Sequence, residues 1–462
     1  MTLFRLPPGS VVAPAGCGKT QTIVNALADY DGPPVLVLTH TNAGVTALRL
    51  RLNRAAVPPT RYRLGTIDGW ALKLIGLYPG LAGHRNVDGR IDYPATRDAA
   101  VAIVEGGILS PVLRATYGRV VVDEYQDCST QQHHLIRALA VELPCHVLGD
   151  PLQCVFDFNG VHPDWTGDVL PAFPTVLELD APHRWINVGQ EAFGRWLLDI
   201  REPLLRGDSI DLGAGPVNVR WIELPEEARE RAAARRTTVM AGAAALPAGS
   251  RLMVIGDARP VATRLEFART TPGVQVVEPV ELADMVAAAA RIDATAGADR
   301  LNVVVGFLNE TMAEIAAPLV ARIDAFRRGE EVGQLTAAEH AALLVAEGDD
   351  LAHTRDLLIA LQEQRPHVHR PHLVAIMIAA LTRAIGRGIP LLQAAIAERE
   401  AQRSKGRALP RLGIGSTLLL KGLESEQAVV LNADAMDARH LYVALSRAST
   451  SLTVMSRSRR MP

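Results

Sequence analysis

Two short stretches carry residue types that handle phosphate. The run Pro14-Ala15-Gly16-Cys17-Gly18-Lys19-Thr20 follows an apolar stretch, Ser10–Ala13, and precedes a helical pattern. Glycines between a strand and a helix N-terminus let backbone N–H groups face an anion, and the helix dipole adds to that field. A lysine at the helix start reaches the β- and γ-phosphates of a nucleotide, and the hydroxyl after it holds Mg2+. Here those residues are Lys19 and Thr20. Ala13 stands where the usual pattern has its first glycine, and a tight strand–helix turn would use the same glycines without a ligand. The second stretch is Val120-Val121-Val122 running into Asp123-Glu124-Tyr125-Gln126-Asp127. Phosphoryl transfer to water needs one carboxylate on the metal and another group to orient the water. Asp123 and Glu124 at a strand's end can supply both; an acidic loop after a strand is the plainer alternative.

The elements that must hold these residues are legible as spaced apolar runs. Ser10–Ala13, Val35–Leu38, Val120–Val122, His146–Leu148 and Val176–Leu179 are mostly separated by amphipathic segments, which predicts a parallel sheet with crossover helices. A second such pattern begins near Val217, with runs at Leu252–Ile255 and Val274–Val277. From about Ala294 to Arg407 the chain is alanine-rich and helical in period. Strand-like runs return at Gly415–Leu420, Gln427–Leu431 and Ser451–Met455. The expected fold is α/β: a first core over residues 1–170 with a short insert at about 72–118, a second core over 171–293 plus 408–462, and a helical insert over 294–407.

Composition sets outer limits. A chain of 462 residues, 48% hydrophobic and 21% charged, is neither disordered nor a coiled-coil rod nor a small disulfide scaffold. It has no uninterrupted apolar run of about 18 residues, so no membrane span is expected. MTLFRLPPGS lacks the apolar run of a secretory signal. The four cysteines, Cys17, Cys128, Cys145 and Cys154, have neither metal-ligand nor disulfide spacing, and a reduced, cytoplasmic setting is expected. The net charge of −2 gives no global pull toward nucleic acid, although a local basic stripe suffices for binding. Only Lys19, Lys73, Lys405 and Lys421 among the 48 basic residues are lysines, and alanine is abundant, as in a GC-rich bacterial genome.

The order of motifs along the chain resembles superfamily 1 helicases of the UvrD/Rep/PcrA type. Beside the phosphate loop and Asp123-Glu124-Tyr125-Gln126-Asp127 with Gln132, Thr39-His40-Thr41-Asn42-Ala43 is similar to the family's segment on single-stranded DNA. Gly149-Asp150-Pro151-Leu152-Gln153-Cys154-Val155-Phe156-Asp157-Phe158 resembles its third motif. Leu177-Glu178 with His183-Arg184 resembles the fourth, Lys421-Gly422-Leu423-Glu424 the fifth, and Tyr442-Val443-Ala444-Leu445-Ser446-Arg447-Ala448 the sixth. The resemblance runs from residue 13 to 448 and implies two RecA-like P-loop cores, with ATP and Mg2+ as cofactors.

By that resemblance Ala13 to Gln21, His183, Gly422 and Glu424 contact ATP. Thr20 and Asp123 hold Mg2+, Glu124 positions water, and Gln153 senses the γ-phosphate. Arg184 and Arg447 would stabilise phosphate charge from across a domain cleft; the plainer alternative for each is a surface or ion-paired arginine, against which its place inside a motif speaks. Thr39, His40, Thr41, Asn42, Thr66 and Phe158 would contact single-stranded or tailed DNA, Phe158 by stacking unless it is a core aromatic. The implied activity is ATP-dependent 3′→5′ translocation or unwinding.

The chain also departs from the family. No glutamine segment that reads adenine precedes the phosphate loop, so relaxed base selectivity is expected. Ser425, Asn159 and Asp68-Gly69 replace an expected phenylalanine, arginine and His-Ser pair, which thins the DNA track. Small UvrD-like proteins resemble helicase-like subunits of bacterial anti-phage systems that work with a nuclease, so a separate nuclease subunit is an expected partner. The rival functions are a nucleotide-gated DNA-sensing regulatory subunit and, more remotely, a small-molecule kinase. His367, His369 and His372 lie in a proline-broken basic loop that could touch a partner or a metal. His133 and His134 are expected to face solvent.

Overall fold

The computed structural model describes residues 2–84, 91–155, 162–330, 333–364, 367–403 and 409–462. The chain forms two compact units, one of residues 1–219, 436–450 and 460–462, the other of residues 220–435 and 451–459. Both are α/β, and both have the RecA-like architecture expected.

In the first unit, strands β1 (Gly9–Val12), β2 (Val35–Thr39), β3 (Tyr62–Thr66), β4 (Arg119–Val122), β5 (Cys145–Gly149) and β6 (Thr175–Glu178) form one sheet in the order β3-β2-β4-β5-β1-β6. All five neighbouring pairs are parallel. All five residues of β2 are buried, as are Val120 to Val122 of β4. Strands covered on both faces read as continuous apolar runs, which is why these runs were recognisable. Burying each such valine or leucine contributes roughly 1.5–3 kcal/mol. Helices α1 (Lys19–Ala28), α2 (Asn42–Arg54) and α3 (Ile67–Leu77) follow the first three strands. Because the strands are parallel, their C-terminal ends share one edge, where open α/β sheets bind ligands.

The division of the chain differs from the expected boundary at residue 170. β6 pairs with β1, and the first unit continues to Val219. Trp185, Phe193 and Trp196 pack on one another beyond β6 and bury that stretch. The Ala438–Leu445 helix also belongs to this unit, although it is the last helix in the sequence. Strands β7 (Ile210–Asp211) and β14 (Arg460–Met461) pair antiparallel within it.

The second sheet has the order β10-β11-β9-β12-β13-β8, from β8 (Val219–Glu223), β9 (Leu252–Ile255), β10 (Gln275–Val276), β11 (Leu412–Gly415), β12 (Ser425–Val430) and β13 (Ala448–Ser456). β10, β11, β9 and β12 run parallel. The run expected as a strand over Gly415–Leu420 divides instead. Its strand ends at Gly415, and Thr417–Leu420 is a helical turn whose N-cap, Ser416, accepts from the Leu419 amide at 3.3 Å. A serine that satisfies an orphan amide favours a helix start over strand continuation.

The helical insert begins earlier than residue 294, because Ala283–Asp293 already shares its core with Leu301, Phe307, Leu357 and Met377. The histidine loop is a pin, not an open surface. His369 and Arg370 are buried; Arg370 pairs with Glu278 at 2.7 Å and Asp284 at 2.6 Å, and His367 bonds the Ala268 carbonyl. Among the described residues no group of three metal-ligating side chains converges. Arg365 and Pro366 lie outside the described residues. No described helix is by itself long and apolar enough to cross a membrane.

Candidate phosphate site

The loop between β1 and α1 is shaped by two glycines. Gly16 and Gly18 have φ of 72° and 91°, backbone that side chains rarely adopt. A Cβ on Gly16 would run into the Trp185 ring, and one on Gly18 would stand 3.3 Å from His183. The loop is also tied to its neighbours: the Ala13 amide donates to Gly149 O at 2.8 Å, and the Arg184 amide to Gly16 O at 3.1 Å. Pro14, Ala15 and Cys17 are buried, and burial pushes the Cys17 thiol up to about 12, so it is no nucleophile. Thr20 is half-buried in the first turn of α1, while Gln21 is exposed and donates to Asn25 at 2.7 Å.

Lys19 faces the acidic pair. Its Nζ is 2.5 Å from Glu124 Oε2 and 3.9 Å from Asp123 Oδ1. Burial alone would lower the lysine's pKa, but the charges of Glu124 and Asp123 and the Glu124 hydrogen bond outweigh it and raise it. Burial, opposed by Lys19, pushes Asp123 up to about 6. A divalent cation would reverse that balance. The hydroxyl of Thr20 and the carboxylate of Asp123 are hard oxygen donors suited to Mg2+. That ion typically takes one or two protein oxygens and completes its shell with water and phosphate, so no third protein ligand is needed.

Glu124 is held in a rare conformation. Its φ is 55°, and its amide donates to Asp123 Oδ1 at 3.0 Å. Left-handed backbone at a non-glycine residue costs of order 1–3 kcal/mol and concentrates at functional sites. Gln126 then fixes the side chain: its Nε2 donates to Glu124 Oε2 at 2.6 Å, while its Oε1 accepts from the Asp150 amide at 3.0 Å. Gln153 Nε2 donates to Asp150 Oδ2 at 2.8 Å, so Gln153 and, through Gln126, Glu124 share Asp150 as a support.

The two arginines converge on one residue. Arg184 Nη1 donates to Ser446 O at 2.6 Å, and Arg447 Nη2 to Ser446 Oγ at 2.9 Å. Both belong to the unit that carries the phosphate loop, in place of the cross-cleft origin expected. The reason is the Ala438–Leu445 helix, which returns to this unit late in the chain. Trp185 is buried under the Arg184 guanidinium and donates to Ala448 O at 3.0 Å. Gly422 and Glu424 lie in the second unit on the turn before β12; Gly422 has φ of 79°.

At the other end of the sheet edge, register pairs Thr39 with Thr66. Thr41 caps α2 by accepting from Gly44, and Thr66 caps α3 by accepting from Gly69. Thr39 is buried, His40 half-buried, and Thr41 and Asn42 exposed. Asp68 accepts two bonds from Arg97, each 2.7 Å, and one from Gln132 at 3.0 Å. Phe158 and Asn159 lie outside the described residues. His134 is exposed as expected, but His133 is buried and bonds the Tyr125 hydroxyl at 2.7 Å, because the acidic turn places Tyr125 under the Thr130–Glu142 helix.

Gln126 and Asp150 lay inside stretches already singled out by sequence, but without a role. Arg201, which donates to both oxygens of Asp150 at 2.9 Å, lay outside every motif, and one more arginine in this arginine-rich chain gave no signal.

No curated protein matches this chain. Residues 107–169 match the UvrD/REP helicase N-terminal domain. Two solved structures of the Arterivirus nonstructural protein 10 helicase, one in complex with DNA, are similar at 10% identity and a TM-score of 0.34. The likeness covers 97% of this chain and 60% and 59% of those chains. This chain therefore spans about 60% of their length. The matched segment holds Asp123, Glu124, Gln126, Asp150 and Gln153, so the acidic half of the site is the part similar to a UvrD/REP helicase N-terminal domain.

Proposed function

We propose that this protein is a superfamily 1 motor that hydrolyses ATP to move along single-stranded DNA, 3′→5′, in a bacterial cytoplasm. The observation that carries the proposal is Lys19, at the start of α1, facing adjacent Asp123 and Glu124 across a loop with two left-handed glycines. Amides of the loop bind the phosphates, and Lys19 compensates the charge that builds on the γ-phosphoryl oxygens. Mg2+, held by Thr20 and Asp123, would neutralise charge on the β- and γ-phosphates. Glu124 accepts a hydrogen bond from the attacking water and aims it, with Gln126 fixing the carboxylate. Arg184, whose amide bonds Gly16 of the loop, and Arg447, which shares Ser446 with it, are proposed to add positive charge there. The base is gripped loosely, by His183 beside Gly18, so kcat/KM for ATP and GTP should lie within about tenfold.

DNA binding rests on the resemblance of the Thr39–Ala43 and Thr66 segments, whose hydroxyls cap α2 and α3 at the sheet edge. A separate nuclease subunit remains the partner proposed by the same resemblance. The test is steady-state phosphate release with and without single-stranded DNA, for the parent protein and Glu124→Gln. Stimulation by DNA that disappears in the variant is the expected result. Hydrolysis indifferent to DNA would replace the motor by a nucleotide-gated regulatory subunit. Failure of folded protein to bind or hydrolyse nucleotide would overturn the phosphate-site assignment.

A further inference from the structure

A buried cation joins the two halves of the phosphate site. Arg201, 8% exposed, begins the Arg201–Arg206 helix, and its Nη1 donates to both oxygens of the fully buried Asp150. Those oxygens have other duties. Oδ1 accepts from the Leu152 amide at 3.2 Å, and Oδ2 accepts from Gln153 Nε2. The shared guanidinium nitrogen holds the carboxylate and its charge in place, while the Leu152 amide on one oxygen and the Gln153 amide on the other set its plane. On its other side the Arg201 guanidinium packs over the Tyr442 ring, its carbon 5.1 Å from the ring centroid. The Tyr442 hydroxyl in turn accepts the Ala15 amide of the phosphate loop at 3.3 Å.

Taking two charges from water costs several kcal/mol per ion, and an apolar pair of the same volume would often be no less stable. A cation retained here is therefore better explained by registry than by stability. We propose that Arg201 is a positioning residue of the nucleotide site: through Asp150 it orients Gln153 toward the γ-phosphate, and through Tyr442 it sets the Ala15 amide of the phosphate loop. This rests on the phosphate-site assignment above and adds a residue to it.

Arg201→Lys keeps the charge but loses the planar guanidinium that spans Asp150 and the Tyr442 ring, and Tyr442→Phe keeps the ring but loses the hydroxyl. Two readouts distinguish positioning from folding. The first is the ratio of affinities for a slowly hydrolysed ATP analogue and ADP, each with Mg2+, measured by fluorescent-nucleotide displacement. The second is the split between kcat and KM. In Arg201→Lys the preference for triphosphate should fall toward one and kcat should drop about 10- to 100-fold, with KM and the thermal midpoint little changed. Tyr442→Phe should weaken both nucleotides alike. If Arg201→Lys keeps the parent's ratio and kcat, or loses only thermal stability, the positioning role is wrong while the phosphate site stands. If the parent protein binds neither nucleotide, the phosphate-site assignment itself falls, and this role with it.

Discussion

The two ends of the first sheet's C-terminal edge are built from similar parts to different effect. Around β1, β4 and β5, Lys19 faces Asp123 and Glu124, Arg184 and Arg447 both bond Ser446, and Gln126, Asp150 and Arg201 brace one another behind the acidic pair. Around β2 and β3, the hydroxyls of Thr41 and Thr66 serve helix caps, and the charged group, Asp68, is satisfied by Arg97 and Gln132. One end concentrates cations and loop amides, as the proposed binding of a highly charged anion requires. The other has an acid at its edge and weaker means of attracting a polyanion. Preorganised charge suits chemistry on a small anion, whereas a polymer that must slide is better met by weak, replaceable contacts.

The largest effect should come from breaking the stronger end. Lys19→Ala should reduce phosphate release about 10³-fold in protein whose circular dichroism is unchanged; retention of a tenth of the parent rate would show that Lys19 is a structural ion pair. Loosening the brace should matter less. Gln126→Leu frees the Glu124 carboxylate and leaves the Asp150 amide unpaired, and kcat should fall about tenfold with KM nearly constant. At the weaker end, Asp68→Asn removes an acid and releases Arg97. Affinity for a fluorescent oligonucleotide should rise several-fold and its salt dependence steepen by about one phosphate contact. An unchanged salt slope would place the DNA elsewhere.

A smaller effect concerns stability. Burial holds His133 and His146 down to about 4, against about 6.5 in an unfolded chain. Between those values the unfolded state binds more protons, so stability is complete above pH 6.5 and falls as pH drops toward 4. The loss should be about 1–2 kcal/mol per ring, read as a shift in urea midpoint between pH 7 and 5. His133→Phe should flatten that slope; a midpoint independent of pH in the parent would mean both rings stay solvated.

Much of this is legible in the sequence itself. The phosphate loop is local chemistry: two glycines, a lysine and a hydroxyl in consecutive positions need only a strand before them and a helix after. The same holds for Val120–Val122 running into Asp123 and Glu124, because a buried parallel strand advertises itself by unbroken β-branched residues. Those stretches determined the α/β class and the reacting groups. Periodicity could not tell where one unit stops, since β6 reads alike whether it pairs with β1 or with a strand of the second sheet. Nor could it separate His133 from His134, neighbours on one helix, one under Tyr125 and the other in solvent.

Tertiary structure alone decided which residues support the reacting ones. Arg201 meets Asp150 from 51 residues away, and Tyr442 reaches Ala15 from 427. No pattern along the chain encodes such meetings, because a buried charge is recognised by its partner and the partner is chosen by packing. Local sequence named the groups proposed to touch phosphate; the fold chose the arginine and the tyrosine that pack behind them.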